Sequence, residues 1–257
     1  MDASVYREIR SYGMSDIGRH RKVNQDAFLR DDLLGLYVVA DGMGGHAAGE
    51  VASQEAIDTL YGMVKLGMAN IGDKLVGNLT DGNGRAACRL LEGAVQAATY
   101  MVFAMAEIDH AKSGMGTTIS AVLTLGTYAV TAQVGDSRIY QIRDGCTQQL
   151  TEDHTLIAWE IKQGLITPED ARRSPHRNII TRAVGNRDYV QVDTSIVELR
   201  SADRYLLCSD GLHGYLNTQE IASLCVADGQ SVVECLIRLA NGRGGRDNIT
   251  AVLVEVL

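Results

Sequence analysis

Apolar residues in this chain gather into short runs that stop at aspartate. Residues 36–40 end at Asp41-Gly42, residues 129–134 end at Gly135-Asp136, and residues 205–208 end at Ser209-Asp210-Gly211. A fourth aspartate, Asp247, does the reverse and opens the run 248–257. Their length and β-branched content predict buried strands. Further strands are predicted over 5–15, 25–30, 117–124, 138–143 and 190–199. Two long stretches have helical spacing instead. Residues 47–66 repeat Val51, Ile57, Leu60, Tyr61 and Val64, and residues 85–108 carry Leu91, Ala94, Val95, Ala98, Met101, Val102 and Met105. The methionines of that stripe read as helix core. Between the two helices, 70–84 is rich in Gly, Asn and Asp and predicts a loop.

Short connections at Gly126-Thr127 and Gly135-Asp136-Ser137 force antiparallel neighbours. Short helices are predicted at 218–225 and 231–240 before the last strand. Residues 152–186 differ from the rest: short helical pieces, Pro168, Pro175 and the basic set Arg172, Arg173, His176, Arg177 and Arg182. The order is strands, two long helices, strands, then helices and a strand, without strict β-α alternation. That favours an α+β sandwich, two sheets face to face with helices outside. No linker-like tract or repeat divides the chain, so one domain over 1–257 is expected.

The formal net charge of −8 argues against a basic nucleic-acid surface. It leaves phosphate chemistry open, because a bound cation reverses the local sign. The five cysteines are odd in number and form no Cys-x-x-Cys, which predicts reduced thiols in the cytoplasm rather than disulfides or zinc. No apolar stretch reaches membrane length and no signal peptide is evident.

Asp-Gly is a turn signal first. What shifts the reading is that Asp41, Asp136, Asp210 and Asp247 all border strongly apolar runs. Carboxylates gathered at one sheet rim repel unless they share a cation. An all-oxygen set without clustered His or Cys suits Mg²⁺ or Mn²⁺. Gly42 offers a backbone carbonyl as a further ligand, or simply a tight strand-to-helix turn. Arg21 is either an anion hook, since a guanidinium fork matches phosphate, or a solvated surface charge. His46 is either an acid/base group or a residue at a helix start. The arginines of 152–186 either engage a ligand or are solvated.

Ser15-Asp16-x-Gly18-x-x-Arg21-x-x-Asn24-Gln25-Asp26 resembles the opening motif of the type 2C metal-dependent protein phosphatases. Asp41-Gly42-Met43-Gly44-Gly45-His46, followed by Ala48-Gly49-Glu50, is similar to the bacterial form of that family's metal motif. Gly114-Met115-Gly116-Thr117-Thr118, Gly135-Asp136-Ser137-Arg138, Ser209-Asp210-Gly211 and Asp247-Asn248 resemble its later motifs, in the family's order and across nearly the whole chain. The resemblance implies a four-layer αββα sandwich that hydrolyses phosphoserine and phosphothreonine. It also implies two Mn²⁺ or Mg²⁺ ions, with a third bound loosely. Asp41, Gly42, Asp210 and Asp247 would ligate the metals, Asp136 the third, and Asp26 would support the metal waters. Arg21 would hold the phosphate, Asn248 would lie just behind the ligands, and 152–186 would be a flap beside the site. A water activated between the cations would attack phosphorus in line. The implied partners are phosphorylated proteins, including a Ser/Thr kinase and its substrates, met by a monomer with no nucleic acid or membrane. Two positions depart from common forms: Gln25 stands where many relatives carry Glu, and Met43 stands where eukaryotic relatives place a proposed general acid, a task left here to His46 or to no side chain.

Overall fold

Successive residues of the run 36–40 are buried against opposite partners. Leu36, Val38 and Ala40 join one core cluster, while Tyr37 and Val39 join another. That is the period-two alternation of a strand covered on both faces. The structure, a computed structural model, describes residues 8–44, 48–176 and 178–257.

The chain opens with strands β1 (Ile9–Asp16), β2 (Asp26–Asp31) and β3 (Leu36–Met43), followed by helices α1 (Ala48–Leu75) and α2 (Asp81–Ile108). Strands β4 (Gly116–Thr117), β5 (Ile119–Thr124), β6 (Tyr128–Val134), β7 (Arg138–Arg143) and β8 (Cys146–Gln149) come next. Helices α3 (Leu156–Lys162) and α4 (Pro168–Arg173) precede β9 (Asp193–Glu198) and β10 (Arg204–Cys208). The chain ends with α5 (Asp210–His213), α6 (Thr218–Leu224), α7 (Gly229–Arg243) and β11 (Ile249–Val256). One sheet runs β1-β11-β10-β7-β8 and the other β2-β3-β5-β6-β9, with β4 paired to the end of β3. All their strand pairs are antiparallel.

Three buried clusters define four layers, as expected. Leu60, Leu91, Val95 and Val102 of the long helices pack on the outer face of the β3 sheet. Leu236, Ile237 and Ala240 of α7 pack with Leu206 and Leu253 on the outer face of the other sheet. Between the sheets lie Tyr37, Val122, Ile139, Tyr205, Leu207, Val252 and Val254. The chain's final run thus alternates too: Ala251 and Leu253 face α7, Val252 and Val254 face the second sheet.

Both long helices exceed their expected limits. α1 continues to Leu75, which is fully buried, so burial at its far end overrides the loop-like composition of 70–75. α2 begins at Asp81 because Thr80 and Asn83 cap it reciprocally, a role the glycine- and asparagine-rich composition concealed. Strand β8 was not anticipated. It forms a hairpin with β7 through Asp144 and Gly145, both at positive φ, an Asp-Gly hairpin signal. No helix among the described residues is long and apolar enough to cross a membrane.

Leu91→Ala, opening a cavity under α2, is expected to cost about 2–4 kcal/mol. Leu33→Ala, at a fully exposed position, is expected to fall within about 0.5 kcal/mol of the parent, as judged by urea denaturation of both.

Candidate functional site

The antiparallel register of β2 and β3 sets Asp26 opposite Asp41. Asp26 belongs to one sheet but is hydrogen-bonded to the other: its Oδ2 accepts from Ser209 Oγ at 2.8 Å and from Thr250 Oγ1 at 2.7 Å. Ser209 precedes Asp210 and Thr250 lies three residues beyond Asp247. One carboxylate therefore clasps the two sheets at the rim where the acidic residues gather. Asp41 is fixed through its backbone. Its N–H donates to Thr118 Oγ1 at 2.9 Å, and Thr117 Oγ1 donates to its carbonyl at 2.9 Å. The Thr118 hydroxyl in turn pairs with Ser137 Oγ at 2.7 Å, beside Asp136.

Electrostatics show how tightly the carboxylates are gathered. Burial pushes Asp26 up to about 7 despite its two hydroxyl donors, with Asp210 and Asp247 adding repulsion. Burial, then the charges of Asp26, Asp210, Asp136 and Asp247, raise Asp41 well above the ordinary carboxylate range. Asp136 rises to about 7, mainly by burial and then by Asp210 and Asp153. Asp210 is raised by burial and by Asp247, partly relieved by a hydrogen bond shared with Asp41 and by Arg21. The structure thus brings Asp26, Asp41, Asp136, Asp210 and Asp247 together.

Other expected residues take defined places. Arg21 Nη2 binds Asp247 Oδ2 at 2.7 Å, with about half of the arginine side chain exposed. It stands at the cleft, paired rather than solvated alone. Asn248 accepts the Gln25 N–H at 2.8 Å and donates to the carbonyls of Ile17 and Val23 at 3.0 and 3.1 Å. It therefore stitches the β1–β2 loop, which carries Arg21, to the start of β11. At Gly42 a Cβ would lie 2.1 Å from the Gly49 carbonyl oxygen and 2.4 Å from that of Gln25, so only glycine fits. His46 lies outside the described residues, as do Arg177 and the Arg172 side chain. Arg138, the cation nearest Asp136 in sequence, turns instead to Asp153, with contacts of 2.8 and 2.6 Å.

A cavity of about 620 Å³ opens from Asp136, Asp210 and Asp247 towards Thr155, Ile157 and Asn178 of segment 152–186. That segment is tied down at its roots by the bridges Thr155↔Ile180 and Thr117↔Val184. Arg182 binds Asp193 at 2.7 Å. Sequence reasoning missed two histidines. His154 accepts the Gly135 N–H through Nδ1 at 3.1 Å and meets Asp193 through Nε2 at 3.0 Å. His213 donates from Nε2 to the Asp136 carbonyl at 2.9 Å. Lone histidines carry no spacing signal, and only the fold reveals their neighbours.

The donor set fits a hard divalent cation. Oδ1 of Asp26 and Oδ1 of Asp210 are buried without a hydrogen-bond partner, a costly arrangement that ligation would relieve. Among the described residues no three His, Cys, Asp or Glu side chains stand close enough together to hold a metal ion by themselves. Asp41 shares its hydrogen bond with Asp210, and Asp247 faces Arg21. A cation here would draw part of its shell from backbone carbonyl, such as that of Gly42, and from water.

The family described as protein phosphatase 2C matches residues 16–257. The Listeria innocua serine/threonine phosphatase stp is 35% identical over 246 residues, covering 94% of this chain and 93% of that protein. The Mycobacterium tuberculosis serine/threonine protein phosphatase PstP is 37% identical over 256 residues, but this chain spans only 46% of its length. The solved catalytic domain of PstP in complex with two manganese ions superposes with a TM-score of 0.82 at 35% identity, covering 97% of this chain and 98% of that one.

Asn248→Ala would strand three backbone groups of the β1–β2 loop. An expected loss of about 2–3 kcal/mol follows from about 1 kcal/mol per bond. Thermal unfolding would show it as a drop of roughly 5–10 °C, and limited proteolysis would show faster cutting within 17–25.

Proposed function

The chain belongs to the protein phosphatase 2C family, and on that premise we propose that it removes phosphate from phosphoserine and phosphothreonine in proteins, using two Mn²⁺ or Mg²⁺ ions. The observation that carries this reading is the gathering of five aspartates from two sheets at one rim, two of them with unpartnered buried oxygens. Asp41, Asp210, Asp247 and the Gly42 carbonyl would hold the two ions, and Asp136 a third, weaker one. When bound, such ions supply an acidified water as nucleophile and positive charge against the phosphoryl oxygens.

The chain's own residues do the rest. Asp26, gripped by Ser209 and Thr250, keeps the rim of one sheet in register with the other and holds its second oxygen buried and unpartnered, where it would support a metal-bound water. Arg21 is poised over Asp247, where an incoming phosphoryl group would meet its guanidinium fork. Asn248 holds the loop that aims it. His213 is no general acid at neutral pH: its Nε2 is committed to the Asp136 carbonyl, and burial pushes it down to about 4. Protonation of the leaving serine or threonine oxygen therefore falls to His46 or to water. We take residues 1–257 as one catalytic domain with 152–186 as its flap. It would act as a cytoplasmic monomer opposing a Ser/Thr kinase, in keeping with its unpaired cysteines.

Asp41→Asn and Asp210→Asn are each expected to lower kcat on a phosphothreonine peptide by at least about a thousandfold with Mn²⁺ present, while circular dichroism stays native. Near-normal turnover by either would remove the ligand assignment. Full activity of the parent in excess chelator would remove the metal mechanism.

Linkage gives a second expectation. Asp26 and Asp136 sit near about 7 and Asp41 and Asp210 are also raised, so between roughly pH 4 and 7 the metal-free native state binds more protons than the unfolded chain. The stability these groups lend is present below about pH 4 and is lost as pH rises through about 7. Cations bind the deprotonated form. The gain in Tm from Mn²⁺ over chelator is therefore expected to be larger at about pH 8 than at about pH 5.5 in paired melting curves. An equal gain at both would show that these carboxylates are not the ligands.

A further inference from the structure

Besides Arg21, three arginines line the cleft, and they are not equivalent. Arg138 is committed to Asp153 at 2.6 Å, beneath the acidic rim. Arg243 is committed to Glu220, with a contact of 3.0 Å from Nη2, and to the Tyr215 carbonyl. Arg246 is exposed, and among the described residues its guanidinium has no carboxylate partner. The aspartate beside it, Asp247, pairs in this structure with Arg21 at 2.7 Å.

The backbone under Arg246 is pinned. Its N–H donates to Tyr215 Oη at 3.2 Å. Two residues earlier, Gly244 lies at φ 150° against the Tyr215 ring, where a Cβ would come 2.8 Å from Oη. The Gly245 carbonyl accepts the Arg19 N–H at 2.7 Å, which fastens this turn to the loop carrying Arg21. The result is an uncommitted cation on a fixed backbone, one residue from an aspartate of the rim. The chain as a whole carries −8, so its general field repels acidic peptides and such a local positive site would discriminate among them.

We propose that Arg246 reads an anionic group flanking the scissile phosphate, so that the enzyme favours phosphopeptides bearing an acidic side chain or a second phosphate beside the target residue. This rests on the phosphatase reading above. It adds a substrate class to that reading and gives a role to a residue that the ligand set does not use.

Three phosphothreonine peptides that differ at one neighbouring position test it: alanine, glutamate or a second phosphothreonine. With Mn²⁺ present, the parent is expected to show kcat/KM about three- to fivefold higher on an anionic peptide than on the alanine peptide, the size of one exposed ion pair. Arg246→Ala should bring the ratio to about one, Arg246→Glu should invert it, and Arg246→Lys should keep most of it. Added salt should erode the ratio in the parent and leave it flat in Arg246→Ala. A preference for glutamate and phosphate alike identifies charge as the determinant, and a preference for the second phosphate alone identifies multiply phosphorylated substrates. Equal rates on all three peptides in the parent, or an unchanged ratio in Arg246→Ala, would overturn the inference and leave the phosphatase reading standing. No turnover of any peptide by the parent would sink both.

Discussion

Like charges brought from two sheets to a single rim are the constraint around which this protein is arranged. Asp41, Asp26, Asp136 and Asp210 are all raised, chiefly by burial and then by one another. Nothing about a four-layer sandwich requires that. The rest of the fold could be built with the rim capped by neutral side chains, and would be more stable for it. The carboxylates are tolerated because hydroxyls hold Asp41 through its backbone and Asp26 through its side chain. Thr117 and Thr118 grip Asp41, and Ser209 and Thr250 grip Asp26. Hydroxyls do this work because they can donate to carboxylate and carbonyl, or accept an N–H as Thr118 does, without adding charge.

The position of the rim follows from strand composition. β3, β10 and β11 are apolar on both faces, so each is locked between a helical layer and the inter-sheet layer. A strand so confined can neither slide nor rotate, and its terminal aspartate inherits that rigidity. The described helices of segment 152–186 are short and contribute little to the core. α3 has no fully buried residue.

Much of this was legible in the sequence, and the legible part was the part written in periodicity. Runs that end in aspartate named the strands and the rim, and their interruption by two helical stripes named the layers. The outer turns of α1 and α2 were less legible. Leu75 and the Thr80–Asn83 cap act through burial and local hydrogen bonding inside a stretch whose composition reads as loop. Partnership was least legible of all. Arg138 follows Asp136 by two positions yet binds Asp153, and Arg21 finds Asp247 across more than two hundred residues. Side-chain pairing of that kind is decided by the fold and leaves no trace in spacing.

The hydrogen bonds of Asp26 reach from one sheet to hydroxyls of the other, across a layer filled by Tyr37, Tyr205, Leu207 and Val252. The separation of the acidic groups is therefore set by the thickness of that apolar filling. A bulkier or thinner residue deep between the sheets would act as a shim, widening or narrowing the mouth of the cleft without touching any charged group. Cation preference in such a molecule could drift through changes in its greasy middle, far from any atom that meets solvent.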